Sequence, residues 1–230
     1  MLTKEIVRDK FVEFFALDKS IVERALSYYD GRDIEEEYHT IKHLYDMLLF
    51  IEKEDLIKGI PKVLLGYAIL YHDAIYEIPS QPLLNEYNSA NMAECDLTMY
   101  SNLVITQIEA ISKAIVDTGN SLHERMYDKT SVTGVLNIAD IHTFFTDNHD
   151  IWRDTQNKVE KEYSKAYSRQ QLVKGRVKFF DGLINELLYE KIYNVCGSEA
   201  LSNFATNILT EHRNLQYEEF SYGYKNTITF

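Results

Sequence analysis

The chain of 230 residues carries 24 Lys and Arg against 36 Asp and Glu, which gives a formal charge of −12 at pH 7. So acidic a chain repels phosphate backbones, and no basic cluster interrupts it, so we expect no long nucleic acid as a ligand. Apolar residues are spread evenly and no run of them is long enough for a bilayer. We therefore expect one domain over 1–230 and no membrane partner.

The amino terminus is charged and amphipathic and lacks the apolar region of a signal peptide. The two cysteines, Cys95 and Cys196, lie far apart in the sequence and in no ligand-like spacing, which is typical of reduced core thiols. These features predict a cytoplasmic protein, and the sequence carries no indication of an oligomeric state.

Fold class follows from the scarcity of turn residues. Nine Gly and three Pro leave few turn signals, while long segments repeat apolar residues at helical spacing. The pattern predicts an all-α helical bundle. Two packing helices open it, within about residues 1–30, the first capped by Thr3 and the second by Asp18 or Ser20.

A third helix is predicted where Ile41, Leu44, Leu48 and Ile51 recur at helical spacing. On that prediction His39 and His43 lie one turn apart on its second face.

The fourth helix ends in an adjacent histidine and aspartate. Pro61 suits its first turn, and Leu65 and Ala68 share a face with His72, which is thus aimed at the core. An ionised Asp73 beside it is costly to bury alone, so it needs compensation. A divalent cation supplies this; a buried His-Asp hydrogen bond without metal is the alternative. A loop over 79–82 follows.

The remaining pattern predicts helices over 84–100, 103–116, 152–168, 172–193 and 198–217, with a nearly continuous apolar segment over 132–145. Asp140 lies within that segment, on the face of Leu136 and Phe144, and is a second buried acid. Because a buried acid without its cation is unfavourable, replacing Asp140 by Ala is expected to raise the stability of the metal-free protein.

These side chains provide five metal-compatible groups in one bundle: His39, His43, His72, Asp73 and Asp140. Mixed imidazole and carboxylate ligands suit Mn, Fe, Zn, Co or Ni better than Ca. The spacing predicts a divalent-metal centre and leaves the ion open among these metals and Mg.

The order His43, His72-Asp73, Asp140 resembles the H…HD…D signature of the HD-domain phosphohydrolase superfamily. Residues 38–43, Tyr-His-Thr-Ile-Lys-His, are similar to the Y-H-N-x-x-H segment of cyclic-nucleotide phosphodiesterases and of a bacterial and phage family of predicted metal-dependent HD phosphohydrolases. That family's H-D-x-x-Y and D-N-E-x-x-S-A segments resemble 72–76 and 84–90, and its downstream elements resemble 162–163 and 212–215.

The chain departs from the family pattern at four positions. Thr40 stands in the place of Asn and Leu84 in the place of Asp, while Glu36 and Glu160 stand where arginines are expected. The match spans about residues 35–216, and the positions of the metal ligands are intact.

The resemblance implies an all-α metal-dependent phosphohydrolase acting on a small phosphomonoester or phosphodiester, with nucleotides as a candidate class. It implies that His43, His72, Asp73 and Asp140 bind metal, that Asp73 can bridge to a second ion, and that His39 is the general acid. Asn85 and Glu86 match residues near the family site. Glu86 as a solvated helix residue, and the whole chain as a non-catalytic scaffold or sensor for a nucleotide or protein partner, are the alternatives. If the chain is phage-encoded, its compartment is the host cytoplasm.

Overall fold

The computed structural model describes residues 2–81, 83–184 and 186–227. Within those ranges the chain is helical and contains no strand, which confirms the all-α prediction. The helices are α1 Lys4–Phe15, α2 Lys19–Ser27, α3 Ile41–Lys53, α4 Lys62–Tyr71, α5 Leu84–Tyr100, α6 Ile105–Asp117, α7 Val132–Asp140, α8 His149–Ser164, α9 Arg169–Leu183 and α10 Glu186–Thr227. Helix α10 is kinked at Gly197, whose backbone is not helical.

The helices fall into two compact units, Met1–His142 with α1 to α7 and Thr143–Phe230 with α8 to α10. The organisation of the whole chain as a single domain stays a prediction. Among the helices of the described residues, none has the length and apolar character needed to cross a bilayer.

Helix α4 is the centre of the first unit. Every residue from Leu64 to Tyr71 is buried, and α1, α2, α3, α5, α6 and α7 all contact it. A helix that is apolar on all sides is stable only inside such a shell. Gly66 permits the close approach of α1, since a Cβ atom there would lie 2.7 Å from Cβ of Phe15. The His-Asp pair at the end of α4 is therefore held by the most buried helix of the unit.

The capping predictions at the amino terminus are confirmed. The Thr3 hydroxyl accepts from the Ile6 amide, and Asp18 Oδ1 accepts from the amides of Ser20 and Ile21. Each side chain satisfies amides that the first turn of a helix leaves without a partner. The fifth helix also has the predicted bounds, Leu84–Tyr100.

A buried carboxylate that the sequence analysis did not identify links three helices of this unit. Asp96 of α5 accepts from Arg24 Nε and Tyr28 Oη at 2.7 Å each and from Tyr71 Oη at 3.1 Å. Burial and the Asp96 charge raise the pKa of Tyr28 to about 12, so the phenol stays a donor. The three donors offset the cost of burying this acid.

Several helix boundaries differ from the prediction. The single helix over 172–193 is wrong, because α9 ends at Leu183 and Ile184 leaves the helical conformation (ψ 71°). Helix α7 ends at Asp140, so Phe144 lies in a short 3-10 turn, His142–Phe145, rather than one helical turn further on. Apolar spacing continues through both breaks and gives no signal of them.

Two smaller expectations have mixed outcomes. Cys95 is exposed and Cys196 half-buried, so the assignment of both as core thiols is wrong. The predicted loop over 79–82 begins with a cis Ile78–Pro79 peptide bond, and Pro82 lies outside the described residues.

In the second unit α9 packs against α8 and α10. Arg176 of α9 donates to Glu160 at 2.7 Å and to Glu211 at 2.6 Å, and Arg169 pairs with Glu160 and Glu218. Glu160, at a position where the family resemblance suggests Arg, is therefore the acidic partner of two arginines from the next helix.

Candidate metal centre

Four side chains from three elements of the first unit converge. One ligand atom from each of His43, His72, Asp73 and Asp140 lies within 4.8 Å of the others. His43 comes from α3, the adjacent His72 and Asp73 from the end of α4, and Asp140 from the last turn of α7. The structure thus brings together all four residues predicted to bind metal.

Helix α3 begins later than the sequence suggested. Its N-cap is Thr40, which has an extended backbone and whose buried hydroxyl accepts from the Lys42 amide at 3.2 Å. Thr40 therefore caps α3, a role for which Asn is also suited. His39 precedes this cap, so the placement of His39 and His43 one turn apart on a single helix is wrong.

The orientation of His72 is set by the backbone of its own helix. Its Nδ1 donates to the Ile69 carbonyl at 2.8 Å, which turns Nε2 toward the other three ligands. Nε2 lies 2.9 Å from Asp73 Oδ2 and 3.6 Å from Asp140 Oδ1. A histidine fixed in this way presents one defined nitrogen to a cation.

His43, on helix α3, completes the group. Its Nε2 lies 3.3 Å from Asp140 Oδ1 and 4.0 Å from Asp73 Oδ2. His43 is 2% exposed and His72 is 1% exposed, so the ring nitrogens of both histidines are shielded from water.

The four residues fit a bound cation because their polar atoms are poorly satisfied without one. His72 Nε2 and Asp73 Oδ2 are close, but their geometry is not that of a hydrogen bond, and both atoms are buried with no partner. His43 Nδ1 is buried in the same condition. Buried polar atoms without partners are rare and costly, and a two-histidine, two-carboxylate set is a common donor set for Mn, Fe, Co, Ni or Zn.

The charges of the four residues also favour a bound cation. Burial opposes the charged form of Asp73, but the His72 and His39 imidazoles outweigh it and hold the pKa of Asp73 well below its ordinary value. Burial likewise disfavours ionised Asp140, yet the hydrogen bond with His43, the nearby His72 imidazole and the charge of Arg125 lower its pKa. Despite burial, the two carboxylates raise the pKa of His72 to about 10. The imidazole thus takes up positive charge that a cation would otherwise supply.

Arg32 joins the two segments on either side of the centre. Its Nη1 donates to the carbonyls of His39 at 2.7 Å and Asp73 at 2.9 Å, and its Nη2 donates to Ala74 O at 3.0 Å. The guanidinium also lies 4.5 Å from the ring centroid of Tyr29. The Arg32 guanidinium satisfies carbonyls just beyond the carboxyl end of α4 and fixes His39 relative to Asp73.

His39, predicted to be catalytic, lies beside the centre but is not one of the four converging ligands. Its half-buried ring stacks on Tyr76, with centroids 3.8 Å apart, and is 6.1 Å from the His43 ring. Its charge acts on Asp73. The ring is therefore held near the ligands by stacking rather than by coordination geometry.

Asn85 and Glu86, predicted near the site, have different surroundings. Asn85 binds the backbone of Glu77, accepting from its amide at 3.2 Å and donating to its carbonyl at 3.1 Å, so it holds a loop. Glu86 is half-buried, and burial, together with the charges of Asp73 and Asp140, raises its pKa. The carboxyl of Glu86 is thus affected by the charges of the centre, and its role there stays a prediction.

Two neighbours of the centre were missed from the sequence. Arg125 Nη1 donates to Asp140 Oδ2 at 2.6 Å. The half-buried His142 stacks on His43 with centroids 5.9 Å apart, and burial and His43 lower its pKa to about 4. Arg125 lies in a loop without periodicity, and His142 lies in the 3-10 turn that follows α7, so neither carried a usable signal.

No protein-family model, curated protein or solved structure matches this chain.

Proposed function

We propose that this chain is a metal-dependent phosphohydrolase that cleaves a small phosphomonoester or phosphodiester, with nucleotides as the first class to test. The observation that carries the proposal is the convergence of His43, His72, Asp73 and Asp140 on one point, with buried polar atoms that lack partners. The same four residues stand in the order of the HD-domain signature, which the sequence resembles.

These four residues would hold the divalent ion. The chemistry that the ion supplies when bound is activation of water and neutralisation of phosphoryl charge. No basic cluster in the sequence offers an alternative for that charge, and a protein nucleophile is not required.

The residues around the centre have separate tasks in this proposal. His39, held by its stack on Tyr76 and by the bond from Arg32 to its carbonyl, protonates the leaving oxygen as general acid. Asp73 serves as a metal ligand, and the His39 imidazole favours its ionised form. Arg125 adds a positive charge beside Asp140.

The test has two parts. Purified protein is first analysed for bound metal, then stripped with a chelator and reloaded with Mn²⁺, Co²⁺, Ni²⁺, Zn²⁺ or Mg²⁺. Each form is assayed over nucleoside mono-, di- and triphosphates, cyclic nucleotides and generic phosphoesters. We expect turnover that disappears on stripping and returns on reloading.

Undiminished turnover after exhaustive chelation would exclude this mechanism. Binding of a nucleotide without turnover in any metal form would instead favour the non-catalytic scaffold or sensor, the competing function for this fold.

A further inference from the structure

Arg125 hydrogen-bonds both to a ligand of the centre and to the backbone of its own loop. Its Nη1 donates to Asp140 Oδ2 at 2.6 Å and its Nε donates to the Asn120 carbonyl at 3.0 Å. The side chain is 12% exposed and that of Asp140 is 16% exposed, so solvent screens this ion pair only weakly.

The loop that carries Arg125 is held by contacts that do not involve Asp140. Asp117 at the end of α6 accepts from the Met126 amide at 3.1 Å and from Asn137 Nδ2 at 2.6 Å. Asn137, fully buried on α7, also donates to the Met126 carbonyl at 2.9 Å. The position of Arg125 is thus fixed from both neighbouring helices.

The same loop lies directly on α7. Gly134 leaves room for it, since a Cβ atom there would come within 2.2 Å of the Asp128 carbonyl oxygen. No larger residue at 134 is compatible with this approach.

The two carboxylate oxygens of Asp140 therefore face different partners. Oδ2 accepts from Arg125, while Oδ1 lies 3.3 Å from His43 Nε2 and 3.6 Å from His72 Nε2. A free carboxylate can rotate and offer either oxygen or both. With Oδ2 occupied by a donor from a fixed loop, Oδ1 alone is presented to the other ligands.

We infer that Arg125 is a positioning residue of the metal centre, which holds Asp140 so that a single oxygen, Oδ1, is available to the ion. This inference rests on the proposed metal-binding function. Partners of metal-ligating carboxylates and histidines commonly change metal affinity about 10–100-fold when they are removed, because they fix ligand orientation. Lys cannot replace Arg here, since a single ammonium lacks the planar fork that reaches both Asn120 and Asp140.

The chain offers a matched control. Arg24 donates from Nε to Asp96 Oδ1 at 2.7 Å, so it is also the partner of a buried carboxylate in the first unit. Asp96 is not among the converging ligands. Arg24→Ala therefore removes the same kind of interaction without touching the centre.

The experiment titrates Co²⁺ into metal-stripped wild type, Arg125→Ala, Arg125→Lys and Arg24→Ala. Affinity comes from calorimetry, and ligand number and geometry come from the visible absorption of bound Co²⁺. Circular dichroism checks that each variant is folded. We expect Arg125→Ala and Arg125→Lys to bind Co²⁺ about 10–100-fold more weakly, with altered absorption, and Arg24→Ala to match wild type in both.

Wild-type affinity and absorption in Arg125→Ala would overturn the positioning role while leaving the metal centre intact. If Arg125→Ala does not fold, Arg125→Lys decides: wild-type affinity and absorption there would overturn the positioning role, because charge alone would suffice. Absence of Co²⁺ binding by the wild type would overturn both the role of Arg125 and the proposed metal centre.

Discussion

The imidazole of His39 stacks on the phenol ring of Tyr76 at 3.8 Å and 24°, and this contact, rather than a shared helix turn with His43, places it at the centre. This arrangement predicts different roles for His39 and His43. His39→Ala should keep the metal and lower turnover roughly 10²–10⁴-fold, since a general acid is lost. His43→Ala should lose metal and abolish turnover of every substrate.

Metal content, measured beside turnover, distinguishes the two variants. An activated ester, whose leaving group needs no proton, should suffer less in His39→Ala. If His39→Ala empties the site and His43→Ala does not, the roles are reversed; if neither changes turnover, the scaffold alternative gains.

Removal of Asp140 should destabilise the metal-free protein, contrary to the expectation from the sequence alone. Residue spacing carries no signal of Arg125, whose 2.6 Å bond to Asp140 already compensates the acid. Asp140→Ala leaves this guanidinium without its carboxylate, at a cost of about 1–3 kcal/mol. Urea unfolding of metal-stripped wild type and variant measures the difference. A more stable variant would mean that the ion pair does not offset the burial of the carboxylate.

The buried carboxylate of Asp96 should be essential to the stability of the first unit and irrelevant to the metal. Asp96→Ala removes one acceptor from Arg24, Tyr28 and Tyr71 together, and breaking a buried charged network of this kind costs about 3–5 kcal/mol. Thermal unfolding and Co²⁺ titration of the folded fraction check the two halves of this prediction. A melting temperature equal to that of wild type would contradict the first half.

The cap of α2 should make a pH-dependent contribution to stability. Hydrogen bonds from the Ser20 hydroxyl and from the Ile21 and Ser20 amides lower the pKa of Asp18 below 3.8. Stabilisation by the ionised cap is therefore present above the unfolded-state pKa and is lost as pH falls through the lower folded-state pKa. At pH 7, Asp18→Ala should cost about 0.5–2 kcal/mol.

Denaturant unfolding at a series of pH values gives the difference between wild type and variant. That difference should shrink in acid. Asp18→Asn is the control, because its amide caps without a charge, and its stability relative to Asp18→Ala should be independent of pH. A constant gap between wild type and Asp18→Ala down to the acid limit would rule out the ionised cap.

The sequence predicted those parts of the fold and site that depend on local pattern. Apolar spacing predicts buried helices, so it predicted α4 and the core position of His72. Asp140 was recognised as a buried acid because it lies in an apolar segment. Caps are equally local, and Thr3 and Asp18 were identified from residue type and position.

Features that depend on tertiary contacts could not be predicted in this way. Arg125 reaches Asp140 from an irregular loop, and Asp96 meets Arg24 across 72 positions, so neither pairing leaves a periodic trace. The start of α3 depends on the cap that Thr40 forms, which apolar spacing does not indicate. The break after Leu183 is likewise invisible to apolar spacing.

His43 and Asp140, whose side chains meet at 3.3 Å, are 97 positions apart in the chain. An ion held by both would act as a removable cross-link, closing a loop comparable to those closed by long-range disulfides. Such a closure restricts the unfolded chain more than the folded one. Occupancy of this centre would then govern how readily α3 and α7 separate, which couples the ion supply to the lifetime of the folded protein as well as to its chemistry.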